Sequence, residues 1–309
     1  MVVSIINESN DHLHSAKALK QDEYFTRMED IENELRYYDF RNKVVYCNCD
    51  DITRSNFYKY FRNNFDKLKL KKLITTGVRG RKAVISRKQI MPVVTKLHKD
   101  DKYRAGDFRS LDCIECLKEA DIVVTNPPFS LFREFFNLID EYHKDFLIVS
   151  NVLVGSYKNV FSHFVDDTVR FGVNKIVRFH AGDITEPVDA VVTSYWLTSL
   201  PVPEKEFLDT PGTYSPERYP KYLNYDAIEV SKLDDIPDDY YGVMGLPITL
   251  LTRHNPKQFK ILGTTKVKYR NILGEGLPSD FFNHTADAVI EKDGKYKKIF
   301  GRVFVRRIR

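Results

Sequence analysis

The chain has 309 residues, 42% of them hydrophobic and 13% aromatic, and a formal charge of +5. That is enough apolar material for one large domain with a smaller appendage. No apolar run approaches a membrane span, and the polar start Met1–Asp11 has no signal-peptide pattern, so a soluble, cytoplasmic protein is expected.

In chain order, the pattern is one of strands alternating with helices. A short apolar strand is predicted over Lys43–Cys47, then a helix over Ser55–Phe65 with Phe57, Phe61 and Phe65 spaced by four. Further strands are predicted over Leu70–Thr75, Tyr103–Phe108, Ile122–Thr125, Asp145–Ser150, Lys175–Phe179 and Ala190–Leu197. This alternation predicts an α/β fold with a doubly wound, mostly parallel, Rossmann-like sheet. After Leu200 the character changes, with Pro201, Pro203, Pro211, Pro216 and Pro220 close together. A boundary is therefore placed between a first domain, 1–200, and a C-terminal region, 201–309.

The most informative residues are Asn126-Pro127-Pro128-Phe129, at the end of the apolar run Ile122-Val123-Val124. A planar exocyclic amine has its lone pair delocalised into the ring and attacks a methyl donor only once it is made more sp3-like. Two acceptors aimed at its N–H bonds achieve this: the Asn126 side-chain oxygen and the Pro127 carbonyl. The two prolines stiffen the loop that presents them, and Phe129 offers a flat face on which an extruded base can stack. Asn and Pro are also ordinary turn formers. The setting favours the functional reading: a buried parallel strand over Asp121–Thr125, then an amphipathic helix over Leu131–Tyr142 with Leu131, Phe135, Leu138 and Tyr142 on one face. The residues point to methyl transfer onto adenine.

Charge is unevenly spread. Lys67–Lys99 holds eleven Lys and Arg with no Asp or Glu, and Lys295–Arg309 holds seven more with no acid. Either block alone could be a solvated face, but two of them beside a base-handling loop favour a polyanion. Arg79, Arg81, Lys82, Arg87 and Lys88, with the tail, are the candidates for phosphate contacts. Cys47, Cys49, Cys113 and Cys116 match no common zinc module, and no metal is expected. Trp196, the sole tryptophan, is read as core packing ahead of a place beside a flipped base. His180 and His254 have no partner pattern and receive no catalytic role.

Several segments resemble the EcoRI-type adenine-specific DNA methyltransferases. They are Asp22-Glu23-Tyr24-Phe25-Thr26, Asp30-Ile31-Glu32-Asn33-Glu34-Leu35, Val44-Val45-Tyr46-Cys47-Asn48-Cys49-Asp50-Asp51, Gly106-Asp107-Phe108, the Asn126 loop, and Tyr225-Asp226-Ala227-Ile228 through Gly242-Val243-Met244-Gly245. The resemblance runs from about residue 20 to the C-terminus. It implies a methyltransferase fold and transfer of a methyl group from S-adenosylmethionine to the N6 amine of an adenine flipped from double-stranded DNA. It also implies a restriction-modification or phage-protection setting and a C-terminal target-recognition region, and it leaves room for a cognate restriction endonuclease acting on the same site. A monomer is expected. By matched position, Tyr24, Phe25 and Thr26 would lie beside the methionine moiety of the donor. Asp107 would contact its adenine, with Phe108 as the hydrophobic neighbour.

Two departures stand out. Cys47, Asn48, Cys49 and Asp50 replace the glycine-rich loop that brings backbone close to the donor in most such enzymes, a substitution that the EcoRI-type group shares. The strand end Thr75-Thr76-Gly77 has no acid for the ribose hydroxyls. Asp50 or Asp51 is the candidate for that work, the competing reading being a helix N-cap. Two alternatives stay open: an enzyme of the same fold acting on RNA or a protein amide, and a DNA-binding relative without turnover.

Overall fold

The computed structural model describes residues 24–181, 188–265, 287–292 and 294–308. The expectations for Met1–Asp11, Asp22, Glu23, the Tyr24 side chain and the His180 side chain fall outside the described residues. The chain divides into two compact units, Met1–Ser150 with Val173–Trp196, and Asn151–Gly172 with Leu197–Arg309.

The first unit begins with β1 (Tyr24–Phe25), α1 (Met28–Leu35), β2 (Val44–Asn48), α2 (Asn56–Asn63) and β3 (Lys72–Gly77). It continues with β4 (Arg81–Ser86), β5 (Gln89–Lys96), α3 (Leu111–Glu119), β6 (Ile122–Thr125), α4 (Phe132–Glu141) and β7 (Asp145–Ser150). With β8 (Arg170–Ala181) and β9 (Val188–Thr198), these strands form a nine-stranded sheet in the order β1-β8-β9-β7-β6-β2-β3-β4-β5. The middle is parallel, β2 pairing with β3 and β6, and β6 with β7. Every residue of β2 and β6 is buried, as expected of strands covered on both faces. The predicted α/β architecture is present, with a mixed sheet.

Its antiparallel edge was not predicted. The basic stretch after β3 folds back as β4 and then β5, each antiparallel to its neighbour. Alternation of buried Ala83 and Ile85 with the less buried Lys82, Val84 and Ser86 is the period-2 signal; the density of cations masks it. β5 is the edge strand, and Pro92 within it withholds an N–H from any further pairing.

Two local expectations are corrected. Tyr103–Phe108 is a series of turns and not a strand. Asp100 accepts the N–H groups of Lys102 (2.9 Å), Tyr103 (2.6 Å) and Leu111 (3.0 Å), and Gly106 sits at φ +82°, so side-chain bonds to the backbone displace strand pairing. In α4 the buried face is Phe132, Phe135, Phe136 and Ile139, in place of the stripe through Leu131, Leu138 and Tyr142. Phe132 and Phe136 are wholly apolar rings, whereas Tyr142 carries a hydroxyl that favours water, and that sets the rotation of the helix.

The second unit contains α5 (Lys158–Val165), β10 (Ile228–Glu229), β11 (Val243–Pro247), β12 (Phe259–Thr264), β13 (Ala288–Lys292), β14 (Lys295–Ile299) and β15 (Arg302–Arg307). A four-stranded sheet runs β10-β11-β15-β12, and β13 pairs with β14. Tyr222, Ala227, Ala288, Ile290, Ile299 and Phe304 form its core around β13. The proline-rich stretch 201–220 is irregular, with no helix or strand between β9 and β10.

The basic tail is part of this unit's framework. Arg302 makes a bidentate pair with buried Glu229 (2.9 and 2.6 Å), and Glu229 also accepts the Tyr222 hydroxyl. Arg307 is buried, donates to Pro237 O (2.8 Å) and lies 5.2 Å from the Phe259 ring centre. Those two cations are spoken for, which corrects the view of the whole tail as phosphate-binding; Lys295, Lys297, Lys298 and Arg306 remain exposed.

Candidate active site

The carboxyl ends of β2, β3 and β6 lie side by side, because Cys47 and Asn48 pair with Thr75 and Thr76, and Tyr46 with Val123. Loops leaving these ends must converge. The N–H groups of Cys49 (3.2 Å) and Asp50 (2.7 Å) both donate to Thr76 O, folding the loop after β2 over the end of β3. Cys49 adopts φ 103°, a region rarely visited by side-chain-bearing residues. It is the stereochemical trace of the glycine that this loop lacks.

The adjoining backbones touch. A Cβ on Gly77 would sit 2.9 Å from Asp51 Cα, and one on Gly106 only 1.9 Å from Gly77 O. Glycine is therefore required at both places, and it brings the Asp50-Asp51 loop and the Asp107 loop against the end of β3.

Asp50 is buried and bonded on both oxygens. Oδ1 accepts the Ser55 hydroxyl (2.6 Å) and Oδ2 that of Thr125 (2.6 Å). Burial raises its carboxyl to about 6 against the lowering effect of those two bonds. Ser55 caps α2 by accepting from Tyr58 N (3.1 Å), so the N-cap belongs to Ser55 and not to Asp50 or Asp51. Neither Ser55 nor Thr125 stood out in the sequence; a hydroxyl at the last residue of a strand was the only available signal for the latter.

The loop after β6 follows directly. Pro127 is buried, Asn126, Pro128 and Phe129 are half-buried, and the Asn126 Oδ1 is covered. Pro128 leads into a turn of 3-10 helix over Phe129–Leu131, closed by Leu131 N donating to Pro128 O (3.0 Å). Phe129 meets Phe179 edge-on at 6.5 Å.

Asp107 is engaged by its own neighbour. Arg109 holds both its oxygens at 2.9 Å and reaches Glu134 at 2.6 Å. Burial raises the Asp107 carboxyl, but the Arg109 hydrogen bonds and charge outweigh it and hold the group below its usual range. Phe108 points into the core, edge-on to Phe135 at 5.2 Å.

On the far side, Tyr24 and Phe25 pair with Ala181 and His180 of β8. Thr26 O accepts from Asn56 Nδ2 (2.9 Å) at the start of α2. The next residue of that helix, Phe57, packs edge-on at 5.9 Å against Trp196, which is wholly buried as core packing requires.

The five basic candidates separate. Arg81 and Lys82 pair with Gly77 and Thr76 at the carboxyl end of β3, and Arg79 lies 3.9 Å from Asp51. Arg87 and Lys88 follow Ser86, which pairs with Lys72 at the opposite end of that strand. Arg87 donates there to Leu70 O, Lys69 O and Asn42 Oδ1. Among the described residues no three His, Cys, Asp or Glu side chains are grouped to hold a metal ion, and no helix is long and apolar enough to cross a membrane.

A stiff Asn-Pro-Pro-Phe loop thus stands at the carboxyl end of the parallel strand β6, on a sheet of the α/β methyltransferase kind. The family described as "adenine-specific methyltransferase EcoRI" matches residues 12–308, and the chain belongs to it. It is therefore an adenine-specific DNA methyltransferase using a methyl donor. It is 42% identical to the type II methyltransferase M.EcoRI of Escherichia coli, over 83% of this chain and 90% of that protein. It is 36% identical to the type II methyltransferase M.MgeORF184P of Mycoplasma genitalium, over 81% and 85% respectively. The type II methyltransferase M.MpnI of Mycoplasma pneumoniae is 33% identical over 81% of this chain and 85% of its own length. No solved structure matches.

Proposed function

We propose that the chain moves the methyl group of S-adenosylmethionine to the N6 amine of an adenine turned out of duplex DNA, at a site read by residues 201–309. Once entry of the base uncovers Asn126 Oδ1, that oxygen and the Pro127 carbonyl accept the two amine protons' hydrogen bonds, and Phe129 stacks on the base. Extrusion costs a few kcal/mol, which stacking and the two acceptors offset. When bound, S-adenosylmethionine supplies an electrophilic methyl carbon on a sulfonium.

The observation that carries this reading is the attachment of the Asn126 loop, through Thr125, to the loop after β2. The proposed donor side also has unmet polar groups. Thr26 Oγ1, Asn48 Nδ2 and Ser110 Oγ are buried and have no hydrogen-bond partner among the described residues. Each such group costs about 1–3 kcal/mol unless something bonds it, and the hydroxyls, carboxylate and amine of the donor are suited to do so. Thr26 and Asn48 are thus fitted to hold S-adenosylmethionine, with Asp107 at its adenine.

Arg79, Arg81 and Lys82, beside the site, are the proposed phosphate contacts; the chain is proposed to work as a cytoplasmic monomer, and a nuclease cutting the same sequence is its proposed partner. Incubation with labelled donor and DNA, RNA or protein separately tests the reading. Label is expected in DNA as N6-methyladenine, and label in RNA or protein alone would overturn it. Calorimetry with S-adenosylmethionine is expected to show binding; its absence would favour a DNA-binding protein without turnover.

A further inference from the structure

Asp50 is one candidate acid for the donor's ribose hydroxyls, yet its geometry suits another task. It is 7% exposed, and each carboxylate oxygen already accepts a short bond from a protein hydroxyl, Ser55 on one side and Thr125 on the other. Its backbone N–H is fixed to Thr76 O at 2.7 Å. The carboxylate is therefore anchored to β3 and to the cap of α2, and its remaining bond goes to the last residue before Asn126. Thr125 Oγ1 also lies 3.5 Å from Asn48 O, so its rotamer is held from two directions.

We propose that Asp50 is a positioning residue for the amine-binding loop, acting through the Thr125 hydroxyl to set the orientation in which Asn126 and Pro127 meet the target amine. This rests on the function proposed above. The physical basis is that methyl transfer needs alignment to within a fraction of an ångström, so a loop free to pivot at residue 125 loses rate without losing ligand affinity. A bond from a buried carboxylate to a hydroxyl is charge-assisted and directional, and it suits this purpose better than apolar packing does. It also joins the donor-side loop to the amine-side loop directly.

Thr125→Val removes the hydroxyl and keeps the shape. In the full-length protein, with a duplex that the wild type methylates, turnover at saturating donor and DNA is expected to fall about tenfold or more, with donor affinity by calorimetry unchanged within about twofold. Thr125→Ser is expected to recover most of the loss. Asp50→Asn, which can accept only one of the two hydroxyls, should slow turnover similarly, and the double variant should be little slower than the worse single one. Crystal structures of the variants should show the Asn126 loop displaced in Thr125→Val and restored in Thr125→Ser. Should Thr125→Val lose its fold, Asp50→Asn decides by the same measurements. Wild-type turnover in Thr125→Val, an undisplaced loop, or a tenfold loss of donor affinity in Asp50→Asn with turnover retained would overturn the proposal. Failure of the wild type to methylate any DNA would instead overturn the underlying function, and the loop positions would still judge the brace.

Discussion

Glu34 and Asn174 are joined twice over 140 residues of sequence, by the backbone N–H (2.8 Å) and the side-chain amide (2.9 Å) of Asn174. The same carboxylate accepts the Val173 N–H (2.9 Å) and the Tyr38 hydroxyl (2.7 Å), and it is wholly buried. Glu34 thereby ties α1 to β8, accepting the backbone N–H groups of both Val173 and Asn174. Glu34→Gln replaces one acceptor by a donor that faces donors. A loss of about 3 kcal/mol of stability is expected, read as a lower urea midpoint; an unchanged midpoint would show that the carboxylate does not hold this joint.

Asn126→Ala removes the acceptor proposed for the reacting amine. Turnover is expected to fall by about a hundredfold or more while donor affinity stays within about twofold. Single-turnover methylation and calorimetry on the same preparation check both parts, and undiminished turnover would remove Asn126 from the chemistry.

Asp107→Ala should act on the donor side, weakening donor binding about tenfold, a cost near 1.4 kcal/mol. Its loss also releases Arg109, so Arg109→Ala serves as the comparison: reduced donor affinity in the Asp107 variant alone assigns the contact to the carboxylate. Unaltered affinity in Asp107→Ala would move the donor pocket elsewhere.

The Asp50 carboxyl gives a stability signature with a definite sign. Its ordinary value is 3.8 and burial raises it to about 6 in the fold. The folded state thus holds the proton more tightly, so the group's contribution is complete below about pH 4, declines as pH rises through 6 and is absent above. The span is about 3 kcal/mol at 1.36 kcal/mol per unit. The thiols that interact with it, Cys47 and Cys49, are pushed up by burial and stay neutral across this range. Relative to Asp50→Asn, the wild type should lose stability between pH 4 and 7.5; parallel denaturation curves at the two values would contradict this.

The basic hairpin makes two kinds of variant. Arg81→Ala, at the carboxyl end of β3, should weaken DNA binding and reduce the salt slope by about 1. Arg87→Ala should leave DNA affinity alone and cost about 1–2 kcal/mol of stability, since it breaks three bonds to Leu70, Lys69 and Asn42. Equal effects on the salt slope would show that both ends of the hairpin meet phosphate.

Much of this architecture was visible beforehand, because the parallel strands are short apolar runs and the Asn126 loop is a stiff tetrapeptide with few structural alternatives. Asp145–Ser150 and Ile122–Thr125 have their predicted bounds. The antiparallel edge escaped because Arg81, Lys82, Arg87 and Lys88 dominate its composition, and composition speaks of partners before it speaks of strands. Tyr103–Phe108 misled because its apolar letters are overruled by a carboxylate, Asp100, that binds three backbone N–H groups. At the site, Thr125 matters through Asp50, 75 residues away, and one-dimensional spacing does not record that; Ser55 bonds the nearby Asp50 and Tyr58, but nothing in its letters marks it as part of a site. Arg302 and Arg307 read as free cations until Glu229, Asp238 and Phe259 are seen around them.

Gly77 and Gly106 explain how this chain tolerates Cys-Asn-Cys where most amino-methyltransferases use glycines. The conformational licence has moved one strand over: the loop after β2 keeps its side chains, and the two loops beside it give theirs up. Spacing among the three is then set by main chain lying on main chain, 2.9 Å from a Cβ on Gly77 to Asp51 Cα and 1.9 Å from one on Gly106 to Gly77 O.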